Sequence, residues 1–421
     1  MDARTGKALR MLSRRVDLAG NAVVRVSASA QATASRWRGV PAAVPIAFEI
    51  IPMPPLDALG AWWRELEARS DGGFFLSWDW VGCWIEETGL KPAILIGRDR
   101  GKVVLLAALV PTRRHDIARF AIAGMHLQST GDLQQDIVTI EYNGFLRDRA
   151  VSSWVQQQAV GYLVSGPVVE GRRRNELHLK NVTVPYDVNF AETGIRCIRL
   201  EQKPSWRVDL DAIRASGKPY LDHLRANTRQ QIRRSMRLYE REGKLVAQRA
   251  RDVPEALRFL EELKELHQKT WTRRGETGSF AYPFFERFQR RLIAACLPRG
   301  TVEIVRVACG ERVIGYLYNF VWRGTVFAYQ SGLAYESDAR LKPGLVAHCL
   351  AIDIHLAEGA KIYDFMAGEA RYKASLGEPG PEMYHLLLQR PTWALRMEFG
   401  LRNLKRALGL NWKTASPSAP E

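Results

Sequence analysis

The sequence lacks the features that mark exported, metal-binding or membrane-spanning proteins. Its 421 residues include only five cysteines, which are scattered and never form a C-x-x-C pair. This pattern argues against a disulfide framework or a zinc site and fits a reducing compartment, so we expect a cytoplasmic protein without a metal. The longest apolar run, Val103 to Val110, is far too short to cross a bilayer.

Several catalytic motifs are absent as well. The chain contains no Ser-His-Asp order, no H-E-x-x-H, no G-K-[ST] loop and no G-x-G-x-x-G. Hydrolase, metalloprotease, nucleotide triphosphatase and dinucleotide-binding interpretations therefore lose support.

Positive charge is unevenly distributed. The net charge is +16, and residues 1–45, 214–251 and 390–413 carry +6, +8 and +5, so the rest of the chain is slightly acidic. Basic segments attract phosphorylated ligands, RNA or anionic surfaces, which leaves peripheral membrane contact open. A solvated face is the more common meaning of any single basic segment.

The length and the order of the patterns predict two domains. Residues 1–45 are basic and contain few large apolar residues, so we expect an appendage that is disordered or loosely helical; residues 414–421 are a short tail. Residues 46–204 and 205–413 both follow the order strand, helices, antiparallel meander, helix, strand, which indicates a repeated mixed α/β unit. Extended segments are predicted at Asp136–Glu141 and Glu382–Gln389, and a closing basic helix at Pro391–Leu408.

The second half contains a strand–turn–helix–strand segment that could bind a pyrophosphate. In order, it comprises Val326–Gly332, the turn Ala339–Gly344, a helix from about Leu345 to Glu358, and Lys361–Phe365. A helix N-terminus offers free N–H groups and a partial positive charge, and Arg340 and Lys342 add full charges there. Pro343 and Gly344 permit a sharp turn. An ordinary βαβ crossover with a solvated basic loop would look the same.

Four short segments together resemble a known family. They are Leu263–Gly275 (L-K-E-L-H-Q-K-T-W-T-R-R-G) with Phe280, Lys342-Pro-Gly344, Asp364-Phe-Met-Ala-Gly368 and Arg371-Tyr-Lys373. In this order they resemble the CelD-like, cellulose-biosynthesis-type acetyltransferases of the GNAT superfamily, which are related to the FemAB-type transferases. Trp78-Asp-Trp80 with Trp84 is similar to the aromatic segment that opens the first fold of that family.

The resemblance implies two tandem GNAT-like domains, each a mixed, mainly antiparallel twisted sheet flanked by helices. It implies acetyl-CoA as co-substrate in the second domain and a degenerate first domain. The donor-binding residues would be Tyr329, Gln330, Ser331 and Gly332 at the splayed strands, and Arg340, Lys342, Pro343 and Gly344 at the turn. The usual glycine-rich pyrophosphate loop is represented only by Leu341-Lys-Pro-Gly-Leu-Val346.

Three candidate catalytic residues follow from the resemblance, each with a structural alternative. Asp364 could act as general base or orient the acceptor amine, or could be a turn residue. Tyr372 could protonate the leaving thiolate, or pack as an amphipathic residue. His267 could titrate in a substrate wall, or be a buried histidine satisfied by a backbone carbonyl.

Candidate substrate-binding residues are more dispersed. Trp271 shares a helix face with His267, Arg274 follows shortly after, and Lys373 suits an anionic acceptor. Arg229, Arg233 and Arg237 form a stripe along one helix side. It could clamp phosphate on an activated sugar, a lipid-linked saccharide or tRNA, or be a solvated helix face.

The predicted function is N-acylation of an amino group on a sugar or surface-polysaccharide precursor, with a saccharide acceptor that carries phosphate. One alternative is a FemAB-like transferase that uses aminoacyl-tRNA. Another is a non-catalytic GNAT-like module that binds an acidic nucleotide. The sequence indicates no oligomeric state.

Overall fold

The computed structural model describes residues 46–115, 121–183, 194–393, 395–397 and 400–401. The predicted N-terminal appendage, the tail and most of the predicted closing helix lie outside these residues. Within the described part of the chain, no helix combines the length and apolar character needed to cross a membrane.

The first half contains nine strands and three α-helices among the described residues. In chain order they are β1 (Ala47–Ile51), α1 (Leu56–Ala68), α2 (Trp78–Thr88), β2 (Ala93–Asp99), β3 (Lys102–His115), β4 (Ala121–Leu127), β5 (Leu146–Arg147), α3 (Trp154–Val164), β6 (Val168–Val169), β7 (Arg172–Arg173), β8 (Glu176–Val182) and β9 (Arg196–Lys203).

The second half continues with eight strands and seven α-helices in the described residues. They are β10 (Ser205–Asp209), α4 (Leu210–Ser216), α5 (Tyr220–His223), α6 (Ala226–Tyr239), β11 (Leu245–Arg249), α7 (Val253–Arg273), α8 (Pro283–Cys296), β12 (Val302–Cys309), β13 (Arg312–Trp322), β14 (Thr325–Leu333), α9 (Pro343–Ala357), β15 (Ile362–Ala367), α10 (Arg371–Leu376), β16 (Glu378–Pro379) and β17 (Met383–Gln389).

Two large sheets share the same succession of parallel and antiparallel neighbours, which confirms the predicted mixed α/β class and the internal repeat. The first sheet has the order β1-β2-β3-β4-β8-β17-β9, and the second has the order β11-β12-β13-β14-β15-β10-β16. One central pair in each sheet is parallel, β4 with β8 and β14 with β15, and the other neighbours are antiparallel. We call the first sheet with α1–α3 the first unit, and the second sheet with α4–α10 the second unit.

Strand β17 belongs to the second half of the sequence but is part of the first sheet. The chain passes from the first sheet to the second between Lys203 and Ser205. The late strand predicted at Glu382–Gln389 forms, but it pairs between β8 and β9 of the first sheet. The first unit therefore takes one strand from the C-terminal part of the chain.

Aromatic side chains join the two units. The N-terminus of α2 is fixed by Ser77, whose hydroxyl accepts the N–H of Trp80, and its C-terminus by Gly89 in the left-handed conformation. Trp80 then packs edge-on against Phe288 of α8 at 4.9 Å between ring centroids, and Phe74 stacks on Phe320 of β13 at 4.4 Å. These rings belong to one buried cluster that includes residues of both units. The units are thus held together by a continuous apolar core.

A glycine allows helix α7 to lie directly on β14. A Cβ on Gly332 would lie 2.8 Å from the Cα of Leu263 and closer still to its carbonyl oxygen. Both neighbours are backbone atoms, which cannot swing aside as a side chain can.

We therefore expect Gly332→Ala to lower the free energy of unfolding by about 1–3 kcal/mol, because overpacking forces the backbone to shift. Gly161→Ala in α3 is the matched control, since a Cβ there meets nothing within 4 Å and alanine favours a helix by about 0.5–1 kcal/mol. Urea denaturation compares the two; equal midpoints would contradict the close approach.

Candidate active site between the two units

The parallel strands β14 and β15 separate after a short common run. They pair at Thr325 with Ile362, Val326 with Tyr363 and Phe327 with Asp364, and no further pair follows among the described residues. A bulge at Tyr329 shifts the register of β14 on β13 at the same level. Beyond it, β14 keeps β13 as its only strand partner in the described structure, so its other edge borders a gap.

The four residues predicted to meet the donor thioester lie along this gap. Tyr329 is the bulged residue, and Gln330, Ser331 and Gly332 follow it on β14. The Tyr329 ring is turned into the aromatic cluster between the units, and its hydroxyl donates to the carbonyl of Val138 at 2.6 Å.

Helix α9 begins close to the end of β14. It starts at Pro343, two residues before the predicted start, because proline suits the first helical turn. A Cβ on Gly344 would lie 2.9 Å from a methyl group of Leu333, so glycine lets the helix start approach the strand end. The N–H of Lys342 donates to the hydroxyl of Ser235 on α6 at 2.9 Å, which fixes the turn.

The two predicted cations of the turn differ in their surroundings. The guanidinium of Arg340 pairs with the carboxylate of Asp338 at 2.8 Å, which compensates its charge locally. The ammonium of Lys342 has no ion-pair partner among the described residues, so its charge is available to a ligand.

Tyr372 lies beside the first turns of α9. Its ring stacks on the ring of His348 at 5.5 Å, and 38% of the residue is exposed. Burial of the other side, followed by the neighbouring Tyr335, raises the pKa of Tyr372, so the phenol holds its proton at neutral pH. His348 itself is buried, with Nδ1 3.0 Å from the hydroxyl of Tyr363, and burial lowers its pKa to about 3.

On the opposite face of the second sheet, Asp364 meets a residue of the first unit. The hydroxyl of Tyr142 donates to both carboxyl oxygens of Asp364, at 2.7 and 2.9 Å, and the N–H of Met366 donates to Oδ1 at 2.6 Å. Asp364 is 5% exposed. Burial raises the pKa of Asp364 to about 6, against the hydrogen bonds from Tyr142 and Met366.

A second buried carboxyl, that of Glu141, lies at the same strand end. Its Oε2 accepts the N–H of Ala367 at 2.8 Å, and the residue is 8% exposed. Burial raises the pKa of Glu141 to about 7; the charge of Lys373 and the Ala367 hydrogen bond oppose this rise, and Asp364 adds to it.

Lys373 completes the cluster. Its ammonium donates to the carbonyl of Ala367 at 2.6 Å, and the residue is half-buried, so the ammonium belongs to the cluster rather than to the open surface. Burial lowers the pKa of Lys373, and the nearby Glu141 and Asp364 act in the opposite direction. We call Glu141, Tyr142, Asp364 and Lys373 the carboxylate cluster.

The backbone is strained on both sides of this cluster. Met366 has φ +63° and Tyr142 has φ +50°, backbone conformations that residues other than glycine rarely adopt. A bulge between β10 and β15 lies at the same place, where Trp206 pairs with Met366 but Arg207 pairs with Asp364. Such strain concentrates at functional sites.

Glu141 and Tyr142 were not identified from the sequence. The segment Asp136–Glu141 was predicted to be extended, and that prediction is wrong. Residues Asp136–Val138 form a short 3-10 turn, and Thr139 then adopts φ +46°, so no strand continues. An acidic residue followed by Tyr-Asn-Gly in a segment without periodicity was the available signal.

His267 and its neighbours lie on and just after α7, and their hydrogen bonds and ring contacts do not reach the carboxylate cluster. His267 is buried, its Nδ1 lies 3.2 Å from the amide oxygen of Gln268, and burial lowers its pKa to about 4. Its partner is thus a side-chain amide rather than the backbone carbonyl considered above. Its ring lies 5.7 Å from that of Trp271, and Arg274 lies over the Trp271 ring at 5.5 Å.

The predicted arginine stripe is partly neutralised. Arg233 pairs with Asp222 of α5 at 3.0 Å, and Arg229 lies 3.9 Å from the same carboxylate. The described structure brings neither arginine into contact with the carboxylate cluster.

The equivalent gap in the first unit is closed. There β4 and β8 pair as far as His126 and His178. The amide of Asn143 then bridges the strands, donating to the carbonyls of Leu127 at 2.9 Å and Lys180 at 3.0 Å. Gln128 donates to the oxygen of the same amide at 2.8 Å. The first unit thus has the fold but not the opening.

Both units have a mixed sheet of the GNAT-like kind, and in the second unit the central parallel pair separates beside a helix start. Residues 226–374, about a third of the chain, match the family model described as an acetyltransferase (GNAT) domain. The protein is an acyltransferase whose second unit carries this domain. No curated protein matches the chain. Among described residues, no group of three or more His, Cys, Asp or Glu is arranged to hold a metal ion.

Several solved structures are similar to the chain at low sequence identity. FemX is 11% identical with a TM-score of 0.52, over 85% of this chain and 99% of that chain. L-PGS from Bacillus licheniformis is 11% identical with a TM-score of 0.45, over 86% and 99%. A tandem GNAT protein from the clavulanic acid biosynthesis pathway is 12% identical with a TM-score of 0.40, over 81% and 98%. The likeness to FemX shows a common fold.

The raised pKa of Glu141 predicts that the stability of the protein depends on pH. A carboxyl whose pKa rises from 4.5 to about 7 on folding binds a proton more tightly in the native state. Stability therefore falls as pH rises through this interval and levels off above it. Glu141→Gln keeps an acceptor for the Ala367 N–H but cannot ionise, so its melting temperature relative to wild type should rise between pH 5 and pH 7.5.

Asp132→Asn is the matched control for this measurement. Asp132 lies on the same connection but is exposed, and its Oδ1 accepts a local N–H that asparagine can also bind. Its melting temperature over the same pH range shows the effect of removing an exposed carboxyl from this connection, with which the Glu141→Gln difference is compared. A pH-independent difference for Glu141→Gln would contradict the raised pKa.

Proposed function

We propose that the protein is an acyl-CoA-dependent N-acyltransferase of the CelD-like type. Its acceptor would be an amino group on a sugar or surface-polysaccharide precursor. The observation that carries the proposal is the open gap between β14 and β15 with the start of α9 beside it, in the unit that matches the GNAT domain. The closed gap of the first unit leaves the second unit as the donor site.

The donor would use both faces of the second sheet. Its pyrophosphate would bind the N–H groups of Gly344 and Leu345 in the first turn of α9, together with the Lys342 ammonium. Its thioester would pass between β14 and β15, where N–H groups on the free edge of β14 can stabilise the oxyanion. Tyr372, beside α9, would protonate the departing thiolate.

The acceptor would approach along the first sheet. His178 and Lys180 of β8, His385 of β17 and Lys203 of β9 lie on the face that leads to the carboxylate cluster, and we call them the polar face. Lys203 is close enough to shift the pKa of both Glu141 and Lys373. The Nε2 atom of His385 is buried without a hydrogen-bond partner among the described residues. Lys203 is paired with Glu201 at 2.8 Å and Lys180 with Asp136 at 3.5 Å, so the face carries both donors and acceptors, which suit the hydroxyl groups of an amino sugar.

Thermal-shift titration tests the proposal with acetyl-CoA and a panel of amines. The panel contains glucosamine, glucosamine 6-phosphate and nucleotide-linked amino sugars, and transfer is followed by release of the CoA thiol. We expect acetyl-CoA to raise the melting temperature by mass action. Absence of acetyl-CoA binding would overturn the assignment. RNA binding with a steep salt dependence would instead favour the transferase that uses aminoacyl-tRNA.

Lys342→Ala should weaken acetyl-CoA binding about tenfold or more, because it removes a charged contact to the pyrophosphate. Lys361→Ala, near the other end of α9, removes the same charge away from the gap and should leave the affinity unchanged. Isothermal titration calorimetry measures both. An equal loss in the two variants would indicate a long-range charge effect and contradict a contact at the turn.

Tyr372→Phe should lower kcat about 100-fold while acetyl-CoA affinity stays within a factor of about two, because only the proton donor is lost. The ring, and with it the stacking on His348, is retained. Transfer to the best amine of the panel measures the effect. An unchanged kcat would assign Tyr372 to packing.

A further inference from the structure

We propose that Glu141 is the general base of the reaction, so that the first unit supplies a catalytic residue to the second. The inference rests on the proposed function and adds the residue that removes the acceptor's proton. Glu141 lies at the end of β15, held there by the Ala367 N–H, at the mouth of the gap through which the thioester would pass.

Asp364 is less suited to this task although it lies in the same cluster. Both of its carboxyl oxygens accept the Tyr142 hydroxyl, and Oδ1 also accepts the Met366 N–H. Its acceptor sites already face protein donors. Asp364 is therefore a positioning residue, which fixes Tyr142 and, through the chain, the adjacent Glu141.

The carboxyl of Glu141 has a free oxygen. Only Oε2 accepts a hydrogen bond from the described residues, which leaves Oε1 for an acceptor ammonium group. A base works best when its pKa is near the working pH, and burial raises the pKa of Glu141 to about 7.

The charged groups that face Glu141 come from three elements. Lys373 of α10 and Lys203 of β9 favour the ionised carboxylate, and Asp364 of β15 disfavours it. The lysine charges keep the base partly ionised at neutral pH despite its burial. An incoming cationic amine would be attracted to the two carboxylates.

The proposed step balances in protons and bonds. The acceptor ammonium gives one proton to Glu141, and the freed nitrogen lone pair forms the C–N bond to the thioester carbonyl. The tetrahedral intermediate breaks the C–S bond, and the sulfur leaves with the electron pair and takes a proton from Tyr372. The nitrogen loses its second proton through solvent, which restores Tyr372, and Glu141 releases its proton to solvent.

Glu141→Gln is the central test. The glutamine oxygen can still accept the Ala367 N–H, so the loop can stay in place while the base is lost. With the best amine of the panel we expect kcat to fall about 10²–10⁴-fold, acetyl-CoA affinity to stay unchanged, and the acidic limb of the pH profile to disappear. Glu141→Asp should recover part of the rate, and Asp132→Asn should match wild type.

Titration of protein labelled with ¹³C in the glutamate carboxyls tests the base without any acceptor. One resonance should titrate near pH 7 and vanish in Glu141→Gln. An unchanged kcat and pH profile in Glu141→Gln would overturn the role of Glu141, as would the absence of that resonance. Either result can be obtained while acetyl-CoA still binds, so failure of this inference is distinct from failure of the proposed function.

Discussion

The candidate site depends on one contact between the units, the hydrogen bond from Tyr142 to the Asp364 carboxyl. Because the first unit covers the end of β15, both Asp364 and Glu141 lose water, and burial is the largest cause of their raised pKa. The aromatic core between the units holds that cover in place. The proton affinity of the cluster is therefore a property of the packed pair, and neither unit would produce it alone.

In both units the central parallel strands stop pairing, but the resulting gap is closed in the first unit and open in the second. Three consecutive residues account for this difference. Asn143 bridges the strands of the first unit and closes its gap. Glu141 and Tyr142, directly before it, reach the strand end beside the open gap of the second unit. One loop thus removes a ligand site from one unit and adds side chains to the other. A repeat that has lost its own opening can in this way become part of its neighbour's site.

Sequence patterns predicted those elements of the fold that are formed by residues close together in the sequence. The strand, turn, helix and strand between Val326 and Phe365 are contiguous in sequence, so proline, glycine and apolar spacing were enough to place them. The pairing of β17 with the first sheet could not be predicted in this way, because register between distant strands leaves no local signal. Tyr142 and Asp364 are 222 residues apart, and only tertiary packing joins them. The irregular segment before Glu141 was misread because left-handed residues interrupt an otherwise apolar pattern.

The short helix α10 connects the two sides of the site. Tyr372 packs on His348, on the α9 face of the sheet, whereas the next residue, Lys373, bonds to Ala367 beside Glu141. A half-buried lysine beside two buried carboxyls is weak evidence for stability, since apolar residues of similar volume often stabilise more. The strained φ of Met366 at the same point adds a further energetic penalty. Packing alone favours neither the charged cluster nor the strained backbone at Met366. A role in the reaction at the gap explains the presence of both better than stability does.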